Sequence, residues 1–345
     1  MRKVQRHLRR RLDRLRNTVK VKALSVYVGT VRRVFGLTQR RPTPATVSVE
    51  QELHLAGGEP GTSAATGEAA FLPIVFIHRK NSPYLRHTLE QARTSNPEST
   101  ISLLGDDSNR SYPGIKHHLF NEYSDSANNF ANLYQHFNTT RYNYSLFDFQ
   151  RWFRLRDWLH HSGLNRCLYL DSDIMLYANA TTEYEHYRTF ALSLSRGFIP
   201  CTVFISHIEI LDEFCRFLNE IYGGSRPYEF DQVVARFALR QKNGLTGGAC
   251  DMTAFELFRE ENFGAIGEVS LVRNGSVFDP GICILEPGFE MENGIKKVEW
   301  LCGEPHGFYQ RTGERIRFNS LHFQGQTKPL IPRFRSSEHL PERSA

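Results

Sequence analysis

Long apolar runs are missing from this chain. In its N-terminal region the most apolar stretch, Ala23–Val31, is nine residues long and bracketed by Lys22 and Arg32, less than half of the about 20 residues that a membrane-spanning helix needs. It has the length of a signal-peptide core, but 22 residues precede it and no small-residue cleavage site follows, so a secretory leader is not expected. The six cysteines include no Cys-x-x-Cys spacing and most sit inside apolar segments. Reduced, buried thiols are therefore expected rather than disulfides or zinc ligands. No Gly-x-Gly-x-x-Gly follows the first apolar strand, Phe71–Ile77, so a dinucleotide fingerprint is absent. No internal repeat is present.

Acidic residues are nearly absent from one end. Positions 1–41 hold 14 Lys and Arg against the single acid Asp13, a charge of +13, whereas the remainder holds 29 against 36. The overall charge of +6 thus describes an arm and not a basic domain. Leu8, Leu12, Leu15 and Val19 recur at helical spacing within that arm. This fits either an amphipathic segment on an anionic membrane surface or a solvated basic extension. Nucleic-acid binding is not expected, since no recognisable folded module accompanies the charge. Residues 42–70, rich in Pro, Gly, Ala, Thr and Ser, read as a flexible linker. The 345 residues, 40% apolar, leave enough chain for one large domain over 71–330, followed by a tail over 331–345.

What the domain does contain is an alternation of strand and helix. Phe71–Ile77 reads as a buried strand, 84–94 as a helix and 100–104 as a second strand, the pattern of an α/β fold with a Rossmann-like, mostly parallel sheet. A helix over 148–161 leads into the apolar run Cys167–Leu170, which ends abruptly in Asp171-Ser172-Asp173. Carboxylates at the end of a buried strand are costly unless a cation meets them. Alternate strand residues point the same way, so Asp171 and Asp173 can face one ion. Hard oxygen ligands suit Mg²⁺ or Mn²⁺. With 12 Asp in the chain, roughly 0.4 such triplets arise by chance, so the triplet alone also fits a turn after a strand.

A second stretch weighs against chance. His322-x-x-Gly325-x-x-Lys328-Pro329 combines an imidazole that can ligate Mn²⁺, a glycine that lets backbone approach a phosphate, and a lysine that can meet its charge. Together the two stretches resemble the metal-binding and diphosphate-binding motifs of GT-A glycosyltransferases. More particularly they are similar to those of glycosyltransferase family 8, the group of glycogenin, galactinol synthase and bacterial lipopolysaccharide glucosyl- and galactosyltransferases. The resemblance implies a GT-A fold with Asp171, Asp173 and His322 as ligands of Mn²⁺ (or Mg²⁺). It also implies Gly325 and Lys328 at the diphosphate of a nucleotide-sugar donor, UDP-linked, with retention of configuration. Where the family often continues Lys-Pro-Trp, this chain has Leu330.

Further expectations follow from that likeness. Ile77, His78 and Asp106, at the first two strand ends, become donor-site candidates; for His78 and Asp106 a turn or cap role is the alternative. A basic residue one helix before the Asp-x-Asp contacts the donor in the family, and Arg154 matches the distance best, with Arg151 the other choice. Asp251, which opens a helix over 252–261, and Asp231 are the sugar or acceptor candidates, though Asp251 also reads as a helix N-cap. Pro200-Cys201-Thr202 stands where the family has Asn-Ser-Gly. Strands are further expected at 190–194 and 198–206, a helix at 207–222, and short β segments at 276–278, 282–285, 297–300 and 315–318.

The expected activity is hexosyl transfer to a saccharide, glycolipid or other hydroxyl acceptor by a cytoplasmic enzyme, peripheral on a membrane if the arm docks there. Two other classes compete. A sugar-nucleotide nucleotidyltransferase would show a Gly-rich basic loop after the first strand, and Ile77–Pro83 contains no glycine. A non-catalytic membrane-associated scaffold would not need the acidic and His–Lys motifs. If the arm docks on anionic lipid, each basic residue near the surface contributes about 1 kcal/mol, screened by salt. Deleting residues 1–41 should then abolish sedimentation with anionic vesicles; undiminished sedimentation of the truncated protein would refute the membrane role.

Overall fold

The computed structural model describes residues 71–285 and 288–336; the arm, the linker and most of the tail lie outside them. Strands β1 (Ile74–Ile77), β2 (Ile101–Gly105), β3 (Lys116–Leu119) and β4 (Cys167–Leu170) lie side by side in parallel, in the order β3-β2-β1-β4. Every residue of β1, β2 and β4 is buried. Continuous apolar runs of this kind belong in a sheet covered on both faces. Helix α1 (Leu85–Ser95) makes the crossover between β1 and β2. Helices α2 (Asp125–Leu133) and α3 (Tyr142–Ser162) lie between β3 and β4. The α3 helix ends where Gly163 adopts φ of 64°, a left-handed cap that glycine takes at little cost.

After β4 the chain leaves this sheet. Strand β5 (Ile174–Leu176) starts after the three residues that follow Leu170 and belongs to a second sheet. A short helix, α4 (Ala180–Tyr184), leads back to β6 (Leu192–Ser195) and β7 (Ile199–Ile205). Helices α5 (Glu209–Gly223), α6 (Pro227–Lys242) and α7 (Asp251–Glu261) precede β8 (Ile266–Glu268). The first sheet is completed in the order β4-β7-β6-β8, with β7 antiparallel to both neighbours. This seven-stranded, mostly parallel sheet flanked by helices is the α/β architecture expected.

The second sheet covers one end. It comprises β9 (Ser276–Phe278), β12 (Glu299–Leu301), β13 (Glu304–Tyr309), β14 (Glu314–His322) and β5, beside a separate hairpin of β10 (Met291–Glu292) and β11 (Ile295–Lys296). A 3₁₀ run, Gly325–Phe334, follows β14. Met175, Val277, Phe318, Leu321 and Phe323 form the core of this layer.

Several expectations need correction. The helix leading to β4 starts at Tyr142, six residues before the expected 148, because Arg141 is extended and only then does helical geometry begin. Helices α2 and α6 lie outside the expected elements, although Phe230, Val233, Val234 and Phe237 of α6 recur at i, i+3, i+4 and i+7, with Phe230 and Phe237 meeting Phe137. Residues 282–285 form no strand, because their polar backbone is engaged by Lys296 and His322 instead. Cys167, Cys201 and Cys215 are buried thiols as expected, but Cys283 and Cys302 are exposed.

Packing holds the site's helices together. Phe214 of α5 stacks on Phe255 of α7 at 3.8 Å and 9°, both fully buried, and Trp152 of α3 meets Phe255 edge-on at 4.9 Å. Phe214→Ala should cost about 3–5 kcal/mol, readable in urea unfolding; a loss under 1 kcal/mol would mean the stack is not a structural anchor.

Candidate metal centre

Asp171 and Asp173 stand where the chain crosses from one sheet to the other. The Asp171 amide donates to Cys201 O at 2.8 Å, and the Ile174 amide turns back to Asp171 O at 3.0 Å. Strand β14 runs antiparallel to β5 with His322 opposite Ile174, and the Phe323 amide donates to Asp173 O at 3.0 Å. That register brings an imidazole from 149 positions downstream alongside the triplet. The His322 Nδ1 lies 3.0 Å from Pro280 O. A carbonyl only accepts, so Nδ1 carries hydrogen, and Nε2 faces Asp173 Oδ1 at 3.5 Å. One ligand atom from each of Asp171, Asp173 and His322 lies within 4.8 Å of the others. Two carboxylates and an imidazole held by a backbone carbonyl are a donor set that fits Mn²⁺ or Mg²⁺.

Gly325 has φ of +60°, and this left-handed turn starts the 3₁₀ run that carries Lys328 back over the site. The Lys328 ammonium lies 3.1 Å from Asp173 Oδ2 and 5.3 Å from the centre of the Tyr84 ring. Its side chain is 34% exposed, so it keeps a face toward incoming solute.

Of the two arginines in α3, Arg151 reaches the acids. Its Nη1 donates to Asp171 Oδ1 at 2.6 Å and to the Tyr169 hydroxyl at 3.1 Å, while Nε and Nη2 donate to Asp251 Oδ2, the former at 3.1 Å. Arg154 instead donates to Ser124 Oγ at 3.0 Å and sits over the rings of Phe120 and Phe147. Three residues along a helix turn the side chain by about 60°, enough to separate the two. Asp251 is 3% exposed and also accepts from Trp152 Nε1 at 3.0 Å. The α7 N-cap is Cys250, one residue earlier, so Asp251 serves Arg151 and not the cap.

The strand-end residues divide. Ile77 is buried in β1. His78 packs directly on the triplet, its Nδ1 2.8 Å from Ser172 Oγ and its Nε2 3.0 Å from Ser82 Oγ. Asp106 caps the turn 107–109 and accepts from the Lys80 amide at 2.6 Å, so its carboxylate holds the loop after β1. Asp231 is exposed on α6. Asp148 and Tyr144 escaped the sequence reading, yet with Arg151 they follow helical spacing at i, i+4 and i+7, which was the available signal.

Charge in the site is unbalanced: Asp148, Asp171, Asp173 and Asp251 gather around Arg151 and Lys328. Burial pushes Asp171 up, only partly opposed by Arg151. Burial would also raise Asp173, but His322 and Lys328 outweigh it and hold it at about 2. Burial alone would lower His322; Cys201 and Asp173 outweigh it and hold the imidazole well above its ordinary range. A bound dication would displace that proton. Burial, then Lys328, lowers His78 to about 4, so its ring is neutral at pH 7.

No family model matches this chain, and no curated protein matches it. Similar solved structures include mouse xyloside xylosyltransferase 1, at 10% identity over 60% of this chain and 88% of that one, with a TM-score of 0.43. An active-site mutant of LgtC is similar at 12% identity over 79% and 98%, TM-score 0.40. The bifunctional glycosyltransferase WbbM is similar at 10% over 75% and 46%, TM-score 0.40. At these scores the likenesses carry no argument, and the functional reading rests on the site itself.

Asp148 gives the site a pH signature. Desolvation, then Asp251, pushes its carboxyl up to about 7. A raised acid contributes stability that is complete below about pH 4 and lost as pH rises through about 7. Asp148→Asn should therefore gain roughly 2 kcal/mol relative to wild type between pH 4.5 and 8, a value discounted because the group is half-buried. Parallel stability–pH curves in metal-free buffer would show that Asp148 titrates normally.

Proposed function

We propose that this protein is a metal-dependent glycosyltransferase that moves a hexose from a nucleotide-diphosphate sugar, UDP-linked, to a hydroxyl of a saccharide or glycolipid, with retention. The observation that carries this reading is the convergence of Asp171, Asp173 and His322 with Lys328 around one point. Two carboxylates and a neutral ligand favour a dication, and a dication beside an ammonium favours a diphosphate. A bound Mn²⁺ or Mg²⁺ would supply Lewis-acid neutralisation of the charge that builds on the departing diphosphate.

The chain's own residues have distinct tasks in this proposal. Lys328 meets the diphosphate, most strongly as that group gains charge. Arg151 and Tyr169 fix the Asp171 carboxylate, and Asp251 in turn fixes Arg151. Asp251, with both oxygens already accepting hydrogen bonds, positions and does not attack. Asp148 is the carboxyl left to meet a sugar or acceptor hydroxyl. His78 and the loop after β1, tied down by Asp106, border the nucleotide side.

His322 and Lys328 should fail differently when removed. His322→Ala takes a neutral ligand from the metal, so excess Mn²⁺ should partly restore donor turnover. Lys328→Ala leaves the ligands intact, so turnover should fall with little recovery at any Mn²⁺ concentration. Donor hydrolysis against Mn²⁺, over a panel of nucleotide sugars, is the measurement. Coincident curves for wild type and both variants would remove the two residues from the site and the proposal with them.

A further inference from the structure

Beneath the metal centre lies a charge pair that none of the steps above uses. Lys296 of β11 and Asp279 are both completely buried in their side chains, with Lys296 Nζ 2.7 Å from Asp279 Oδ1. The same ammonium donates to Gly281 O at 2.6 Å and to Ile284 O at 2.8 Å. One carboxylate and two carbonyls thus surround it, as oxygens would surround a bound monovalent cation. A buried charge pair is poor evidence of a contribution to stability, because apolar residues of similar volume often do as well.

Among the described residues, the polar contacts of this ammonium all go to the segment 279–284, and that segment grips His322 from three sides. Asp279 Oδ2 accepts the His322 amide at 3.2 Å. Pro280 O accepts the imidazole Nδ1–H at 3.0 Å. The Ile282 amide donates to His322 O at 2.8 Å, and the Lys296 amide closes the set on Ile282 O at 2.7 Å. No regular strand or helix holds residues 279–284, so their shape depends on these polar ties.

We propose that Lys296 is a positioning residue: it acts as an internal cation that locks 279–284 around His322 and aims Nε2 at the Asp171–Asp173 pair. This rests on the metal-centre reading above. The carbonyl of Pro280 fixes the imidazole tautomer, and the Lys296 ammonium fixes the carbonyl's segment. Loss of such outer partners typically weakens metal binding about 10–100-fold.

The test is Mn²⁺ affinity of the full chain without donor, by calorimetry or by the free-ion electron paramagnetic resonance signal. Lys296→Met should weaken binding at least tenfold in the wild-type background and less than threefold in the His322→Ala background, because it acts only through His322. The double variant Lys296→Met/Asp279→Leu removes both buried charges and so tolerates folding where the single variant does not; it too should lose at least tenfold. Unchanged affinity in the folded double variant, or equal losses with and without His322, overturns the positioning role while leaving the metal centre standing. Absence of Mn²⁺ binding by the wild-type protein overturns the metal centre and this role together.

Discussion

The pairing of β14 with β5 is the constraint on which the site depends. The two strands are far apart in the sequence, and only three residues of β5 are available to pair. Because side chains alternate along a strand, a slip of one residue would turn His322 away from Asp173. The register is secured on both sides of the pair. Tyr177 and Ala178 amides both donate to Asn319 O, and Leu321 and Phe323 bury their side chains beneath the second sheet.

Once that register is set, electrostatics dictates much of the surrounding architecture. Four carboxylates, each at least partly buried, repel each other, and burial adds to the cost of keeping them charged. The chain answers with fixed partners: Arg151 links Asp171 to Asp251, and Lys328 caps Asp173. Trp152 and Tyr169 contribute hydrogen bonds while their rings pack in the core. The edge-on Trp152–Phe255 contact that holds α3 against α7, backed by the Phe214–Phe255 stack, therefore also holds Arg151 beside Asp251. Stability and site geometry share residues here, so damage to the Phe214–Phe255 stack reaches the acids through the helices that bear them.

The layered sheet, the triplet at the end of β4 and the His–Gly–Lys motif were legible in the linear chain because each rests on local pattern: four-residue apolar runs, alternation, and glycine where φ turns positive. Arg151 over Arg154, and Asp251 as a partner of Arg151, were not legible. Their distance from Asp171 in the sequence says nothing about which face of α3 meets the cleft, since that face is chosen by how Phe149, Trp152 and Phe153 pack. Asp148 is hidden for a related reason: it looks like the start of a helix that in fact begins at Tyr142, which places it in the helix interior beside Arg151.

By itself, the sequence determined which segments are apolar enough to be buried, and that determined a mostly parallel sheet with carboxylates at a strand end. It also determined which side chains could ligate a cation or meet a phosphate. Only the tertiary structure decided which of them meet. The Lys296–Asp279 pair, the tautomer of His322 set by Pro280 and the Arg151 bridge are all long-range polar contacts. Their partners are chosen by strand register and helix rotation, not by neighbours in the chain, and no local pattern encodes that choice.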